Sequence, residues 1–116
     1  MIYLTPHMRI FLYIEPIDFR NGIDGLVGLC RSKLGQNPLN GAVFLFINRR
    51  RTALKLLGYD GQGFCLCQKR LSQGRFKFWP RSNATLTAPQ VQVLLHNGDP
   101  CGSNMAPAWK PLPVPI

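Results

Sequence analysis

At 116 residues the chain has room for one domain with a single hydrophobic core. Its 46% apolar fraction excludes a disordered polymer, and no stretch nears the roughly 18 uninterrupted apolar residues of a membrane span. A formal net charge of +9 and a pI of about 10.0 point to an anionic partner, nucleic acid first, because phosphates attract Lys and Arg whatever the base sequence.

The N-terminal apolar patches, 1–4 and 10–14, are interrupted by Pro6, His7 and Arg9. A signal peptide would place charge first and then a continuous apolar run. The expectation is a cytoplasmic protein. Residues 9–15, Arg-Ile-Phe-Leu-Tyr-Ile-Glu, read as a first strand that Pro16 stops. The period then changes. Phe19, Ile23, Leu26, Cys30 and Leu34 line one face of a helix, with Asp18 as its N-cap and Gly35 as its stop. Gly22, Gly25 and Gly28 weaken that helix by about 1 kcal/mol each relative to Ala. Close packing of the helix on a sheet is the expected compensation.

Asn37-Pro38 and Asn40-Gly41 mark a loop. The apolar run 42–48, the run 53–59 with Lys55, and the run 64–70 predict three strands of an antiparallel meander. Arg49-Arg50-Arg51 make the first turn, and Asp60-Gly61-Gln62-Gly63 make the second. Gly74 opens a short fourth strand around Phe76 and Phe78. Thr85 or Thr87 caps a last helix through Val91, Leu94 and Leu95. From Gly98 onward Pro100, Pro107, Pro111, Pro113 and Pro115 predict an extended, poorly ordered tail, so the domain is set at 1–97 and the tail at 98–116. The fold class is α+β: a small antiparallel β-sheet, a meander, with one main helix packed on it and a short C-terminal helix.

The four cysteines, Cys30, Cys65, Cys67 and Cys101, read as free thiols in a reducing compartment. Cys65 and Cys67 share one strand face, at a spacing too tight for a zinc knuckle, and His7 and His96 lie far off. No metal or cofactor is expected. A nuclease needs several converging carboxylates, and here Asp18, Asp24 and Asp60 would have to meet. No Cys–His or Ser–His pair stands out, so no enzyme is expected.

Nine of the fourteen basic residues fall between positions 49 and 81, opposed there only by Asp60. Like charges so concentrated repel one another, which an anionic partner would relieve. The candidate nucleic-acid contacts are Arg49, Arg50, Arg51, Lys55, Lys69, Arg70, Arg75, Lys77 and Arg81. Antiparallel pairing of 53–59 with 64–70 gathers Arg51, Lys69 and Arg70 at one end of the sheet, with Arg75, Lys77 and Arg81 following from that end. Phe76 and Phe78, spaced by two, read as the core face of a strand. For Trp79 the core and a base-stacking role both stand.

Several segments, in order, resemble the small accessory protein (TnpB-type, second open reading frame) of IS sixty-six-type bacterial insertion sequences. They are Asp18-Phe-Arg-Asn-Gly-Ile-Asp-Gly-Leu26, Val43 through Leu57, Tyr59-Asp-Gly-Gln-Gly-Phe64, Lys69-Arg-Leu71, Gly74-Arg-Phe76 and Trp79-Pro80. The resemblance covers residues 8–96 and fades into the Pro-rich tail. It implies a protein that assists transposition beside a separate transposase, with DNA and that transposase as partners and no catalytic residues to carry over. The expected function is an accessory factor for DNA transposition. It would bind DNA or a transposase–DNA complex through the basic surface, or, alternatively, dock on the transposase without contacting DNA.

Overall fold

The computed structural model describes residues 4–81 and 85–100. Strands β1 (Ile10–Leu12), β2 (Val43–Ile47), β3 (Ala53–Tyr59), β4 (Phe64–Arg70) and β5 (Thr85–Leu86) form one sheet in the order β4-β3-β2-β1-β5. Helix α1 spans Ile23–Ser32, helix α2 spans Ala88–Leu95, and a single 3-10 turn lies at Pro38–Asn40.

The meander β2–β3–β4 follows the sequence pattern closely. Phe44 pairs with Leu57, and Leu57 with Leu66; at the other end Ala53 pairs with Arg70. Strand β1 behaves differently. It is shorter than the 9–15 run and lies parallel to β2, with Ile10 opposite Val43. A parallel neighbour requires a crossover, and α1 supplies it. Past Leu12 the chain still tracks β2: Tyr13 N–H donates to the Leu45 carbonyl and Ile17 N–H to the Ile47 carbonyl, each at 2.9 Å. Pro16, which has no N–H, breaks the ladder between them. Strand β5 pairs antiparallel with β1, and at two residues it is too short to show periodicity.

Alternation divides the core into two layers. Phe44, Phe46 and Leu57 lie with Leu26 and Cys30 of α1. Val43, Leu45, Ile47, Leu54 and Leu56 lie on the opposite face with Val91 and Leu94 of α2, Phe76 and Trp79. All five residues of β2 are buried because both of its faces are covered, which explains its uninterrupted apolar run.

Three local expectations need correction. First, α1 begins at Ile23 with Gly22 as its cap residue and no side-chain cap bond. Asp18 sits in a separate turn, where its Oδ1 accepts from the Arg20 backbone N–H at 2.9 Å. Asp is as well suited to such local turns as to helix caps. Second, Gly25 and Gly28 are exposed rather than pressed on the sheet. A Cβ at Gly25 would lie 2.6 Å from Asn21 Oδ1, so this glycine makes room for Asn21. Third, residues 71–81 form no strand. Phe76 is 1% exposed and Phe78 is 42% exposed, so they do not share a core face.

Both helix ends have identifiable causes. Gly35 adopts a left-handed φ of 61°, and Gln36 N–H then closes on the Cys30 carbonyl at 3.1 Å. Of the two threonines, Thr87 is the cap of α2, in a capping box. Its N–H donates to Gln90 Oε1 at 2.8 Å, and Gln90 N–H donates to Thr87 Oγ1 at 3.3 Å. Cys30, Cys65 and Cys67 are free thiols, and burial pushes the Cys30 thiol up to about 12. Cys101 and the expected tail from 101 on lie outside the described residues. Among the described residues no helix is long and apolar enough to cross a membrane.

Candidate nucleic-acid interface

The basic turn between β2 and β3 is tightly held. Asn48 Oδ1 accepts from the N–H groups of Thr52 at 2.8 Å and Ala53 at 3.1 Å, and its Nδ2 donates to Thr52 Oγ1 at 3.0 Å. Its carbonyl accepts from Arg51 N–H at 3.0 Å. Arg51 takes a left-handed φ of 60°, a conformation that costs a non-Gly residue about 1–2 kcal/mol. The Asn48 bonds hold it there. Arg49 and Arg50 are exposed at the tip of this rigid turn.

Two backbone bonds bring the later cations to the same end. Leu71 N–H donates to the Thr52 carbonyl at 2.8 Å, and Phe76 N–H donates to the Arg51 carbonyl at 2.7 Å. Arg70 and Arg75 therefore stand beside the turn, as antiparallel pairing predicts, and both are exposed. Lys77 and Arg81 follow on the same segment and are also exposed.

Two predicted contacts are engaged elsewhere. Lys69 and Arg70 are consecutive on β4 and point to opposite faces. Lys69 Nζ donates to the carbonyl of Leu95, the last residue of α2, where a cation complements the helix dipole. Lys55 is 7% exposed. Its Nζ donates to the carbonyls of Phe19 at 2.9 Å and Asn21 at 3.1 Å, and lies 4.7 Å from the centroid of the Phe19 ring. Burial lowers its pKa. This ammonium ties the 19–21 turn to β3 and is not offered to a ligand. Lys55→Met should keep the aliphatic stem and remove that tie, leaving two carbonyls short of a donor. The expected cost is about 2–3 kcal/mol in urea denaturation. DNA affinity of the folded variant should not change, and a large loss of affinity would return Lys55 to the interface.

Tertiary structure adds a residue that charge density in the sequence missed. Ile17 bridges Asn48, so the 17–20 loop lies against the basic turn. A cleft of about 370 Å³ lies between them, lined by Ile17, Asp18, Phe19, Arg20, Asn48, Arg49 and Arg50. The Arg20 side chain is 91% exposed yet oriented by Asp18, with Nη2–Oδ2 at 2.6 Å and Nε–Oδ2 at 2.8 Å. Hydrogen bonds from the Arg20 side chain and backbone hold the Asp18 carboxyl down at about 2, and the nearby Arg49 charge adds a little. The resemblance motif already contained Arg20, but its distance along the chain from Arg49 hid their proximity.

The carboxylates do not converge. Asp18 neighbours the β2–β3 turn, whereas Asp60 lies in the β3–β4 turn at the opposite end of β3. Asp60 Oδ1 accepts from Gln62 and Gly63 N–H groups, each at 2.9 Å, and these bonds lower its pKa. Among the described residues no group of three His, Cys, Asp or Glu side chains could hold a metal ion.

A small basic α+β domain built around a rigid arginine turn is the class that fold and site define. Residues 8–101 match the family model described as IS66 Orf2 like protein, and the chain belongs to that family. Membership gives it a transposition-related accessory role. Two relatives come from Sinorhizobium fredii (strain NBRC 101917 / NGR234). "Uncharacterized protein y4jC" is 38% identical over 99 residues, covering 84% of this chain and 85% of the relative. "Uncharacterized protein y4hO" is 32% identical over 111 residues, covering 93% and 94%. The family match runs past His96, and the second relative covers more than the described domain, so the likeness reaches into the Pro-rich tail. No solved structure matches.

Proposed function

We propose that this protein assists transposition of an insertion sequence by contacting DNA, free or bound to the transposase, through the basic end of the sheet. One observation carries the reading. Arg20, Arg49, Arg50, Arg70 and Arg75 are exposed on segments that backbone bonds bring together, and the one carboxylate in the adjoining cleft, Asp18, is already engaged by Arg20. With Arg20 paired to Asp18, the other four arginines leave the surface with net positive charge toward a phosphate chain.

Docking on the transposase alone would call for a broad exposed apolar patch. Among the described residues the large exposed hydrophobics are Leu39, in the 3-10 turn, and Phe78, on separate segments. That favours the DNA reading. A mobility-shift titration across a salt series tests it. Affinity should fall steeply and log-linearly as salt rises, by about 0.9 in slope per duplex phosphate contacted. Salt-independent binding, or co-purification with the transposase after nuclease treatment without any DNA affinity, would support docking instead.

A further inference from the structure

Resting on that reading, we propose that the basic end of the sheet accepts unpaired DNA, and that Phe78 is the platform on which an unpaired base stacks. The segment that carries Phe78 is anchored on both sides. Asn97, in a left-handed conformation just past α2, grips it with its side-chain amide. Its Oδ1 accepts from Lys77 N–H at 3.0 Å and its Nδ2 donates to the Arg75 carbonyl at 3.0 Å. Phe76 is buried and its N–H is bonded to the Arg51 carbonyl. Trp79 is 5% exposed, and its indole Nε1 donates to the Ile14 carbonyl at 2.6 Å.

Between those anchors Phe78 is 42% exposed. It is held out by a fixed backbone rather than by a loose one. Of the three aromatics in Phe76–Trp79, Phe76 and Trp79 go to the core and one remains on the surface. Its neighbours along the chain are exposed cations: Lys77 next to it, Arg75 and Arg81 on the same segment, with the arginine turn joined to that segment through Phe76. An aromatic face flanked by backbone-tracking cations is the chemistry of single-strand binding, because every base has a π-face and every nucleotide a phosphate. A continuous duplex buries its base faces in its own stack and has nothing to offer the ring. Single-stranded overhangs and displaced strands do.

The test is fluorescence anisotropy with a labelled single strand and its blunt-ended duplex, at one salt concentration, on wild-type protein and three Phe78 variants. The wild type should bind the single strand more tightly than the duplex. Phe78→Ala and Phe78→Leu should each weaken single-strand binding by about five-fold or more, as loss of one base stack implies, and change duplex binding little. Phe78→Trp should keep or improve it. Retained affinity in Phe78→Leu would mean that the site needs only an apolar side chain, and would overturn the stacking role. Duplex preference with unchanged affinity in Phe78→Ala would overturn this inference and leave the DNA reading intact. No binding to either oligonucleotide would overturn both.

Discussion

Replacing Arg49, Arg50 and Arg70 together with alanine should lower DNA affinity by about 100-fold, at roughly 1 kcal/mol for each exposed charge pair lost. The slope of log affinity against log salt should flatten by about 2–3, since each lost phosphate contact removes about 0.9 on a duplex and 0.7 on a single strand. All three side chains are exposed, two at the tip of the β2–β3 turn and one at the end of β4, so thermal stability should stay close to wild type. Removing three like charges even relieves some repulsion. The same assay on Lys55→Met gives the contrasting result, lower stability and an unchanged slope. A triple variant that binds with wild-type affinity and slope would sink the interface as drawn. The rigidity of the turn matters to this expectation. Because Asn48 fixes the loop backbone through Thr52 and Ala53, little ordering remains to oppose binding.

Trp79→Ala should be among the most damaging substitutions in the chain. The indole is buried with Phe76 against the sheet face that α2 covers, and deletion of a core aromatic costs about 3–5 kcal/mol. It also leaves the Ile14 carbonyl without its donor, at a residue where β1 has ended but the chain still follows β2. Against a total stability of about 5–15 kcal/mol, this should lower Tm by about 15 °C or more, read by circular dichroism. Trp79→Phe largely separates the two contributions, because it refills most of the volume and loses the N–H with only part of the ring system. It should cost about 1–2 kcal/mol. A loss below about 1 kcal/mol for the alanine variant would show that the indole is not packed as described. Phe78→Ala, one residue away, should cost clearly less than Trp79→Ala in the same melt, because Phe78 is already 42% exposed.

Much of the fold was legible in the sequence because it rests on local patterns. The bounds of β3 and β4 follow from apolar and branched runs ended by turn residues, and the three-residue basic turn follows from its charge. Gly35 and Thr87 act at their helix ends through backbone chemistry that depends on their own dihedrals and neighbours. The parallel placement of β1 was not legible. A short apolar run does not say which neighbour it joins, and Ile10–Leu12 is paired on both sides, by β2 and β5. Asp18 fits a helix cap and a turn equally well in sequence, because both ask the same of a carboxylate, and the structure uses it in the turn.

The candidate interface divides in the same way. The sequence by itself determined that the domain is strongly basic, that most of its cations are concentrated between β2 and residue 81, and that hairpin pairing returns Arg70 to Arg51. Its ordered motifs determined the family. Only the tertiary structure decided which cations remain for a ligand. Lys55 and Lys69 alternate on strands as any exposed lysine would, yet Lys55 meets the 19–21 turn and Lys69 meets the end of α2. Arg20 joins the surface because Ile17 pairs with Asn48, and Phe78 stays out because its neighbours are anchored. Periodicity along a strand states which side chains share a face, but exposure depends on what other part of the chain covers that face. That covering comes from contacts remote in sequence, which a local pattern does not encode.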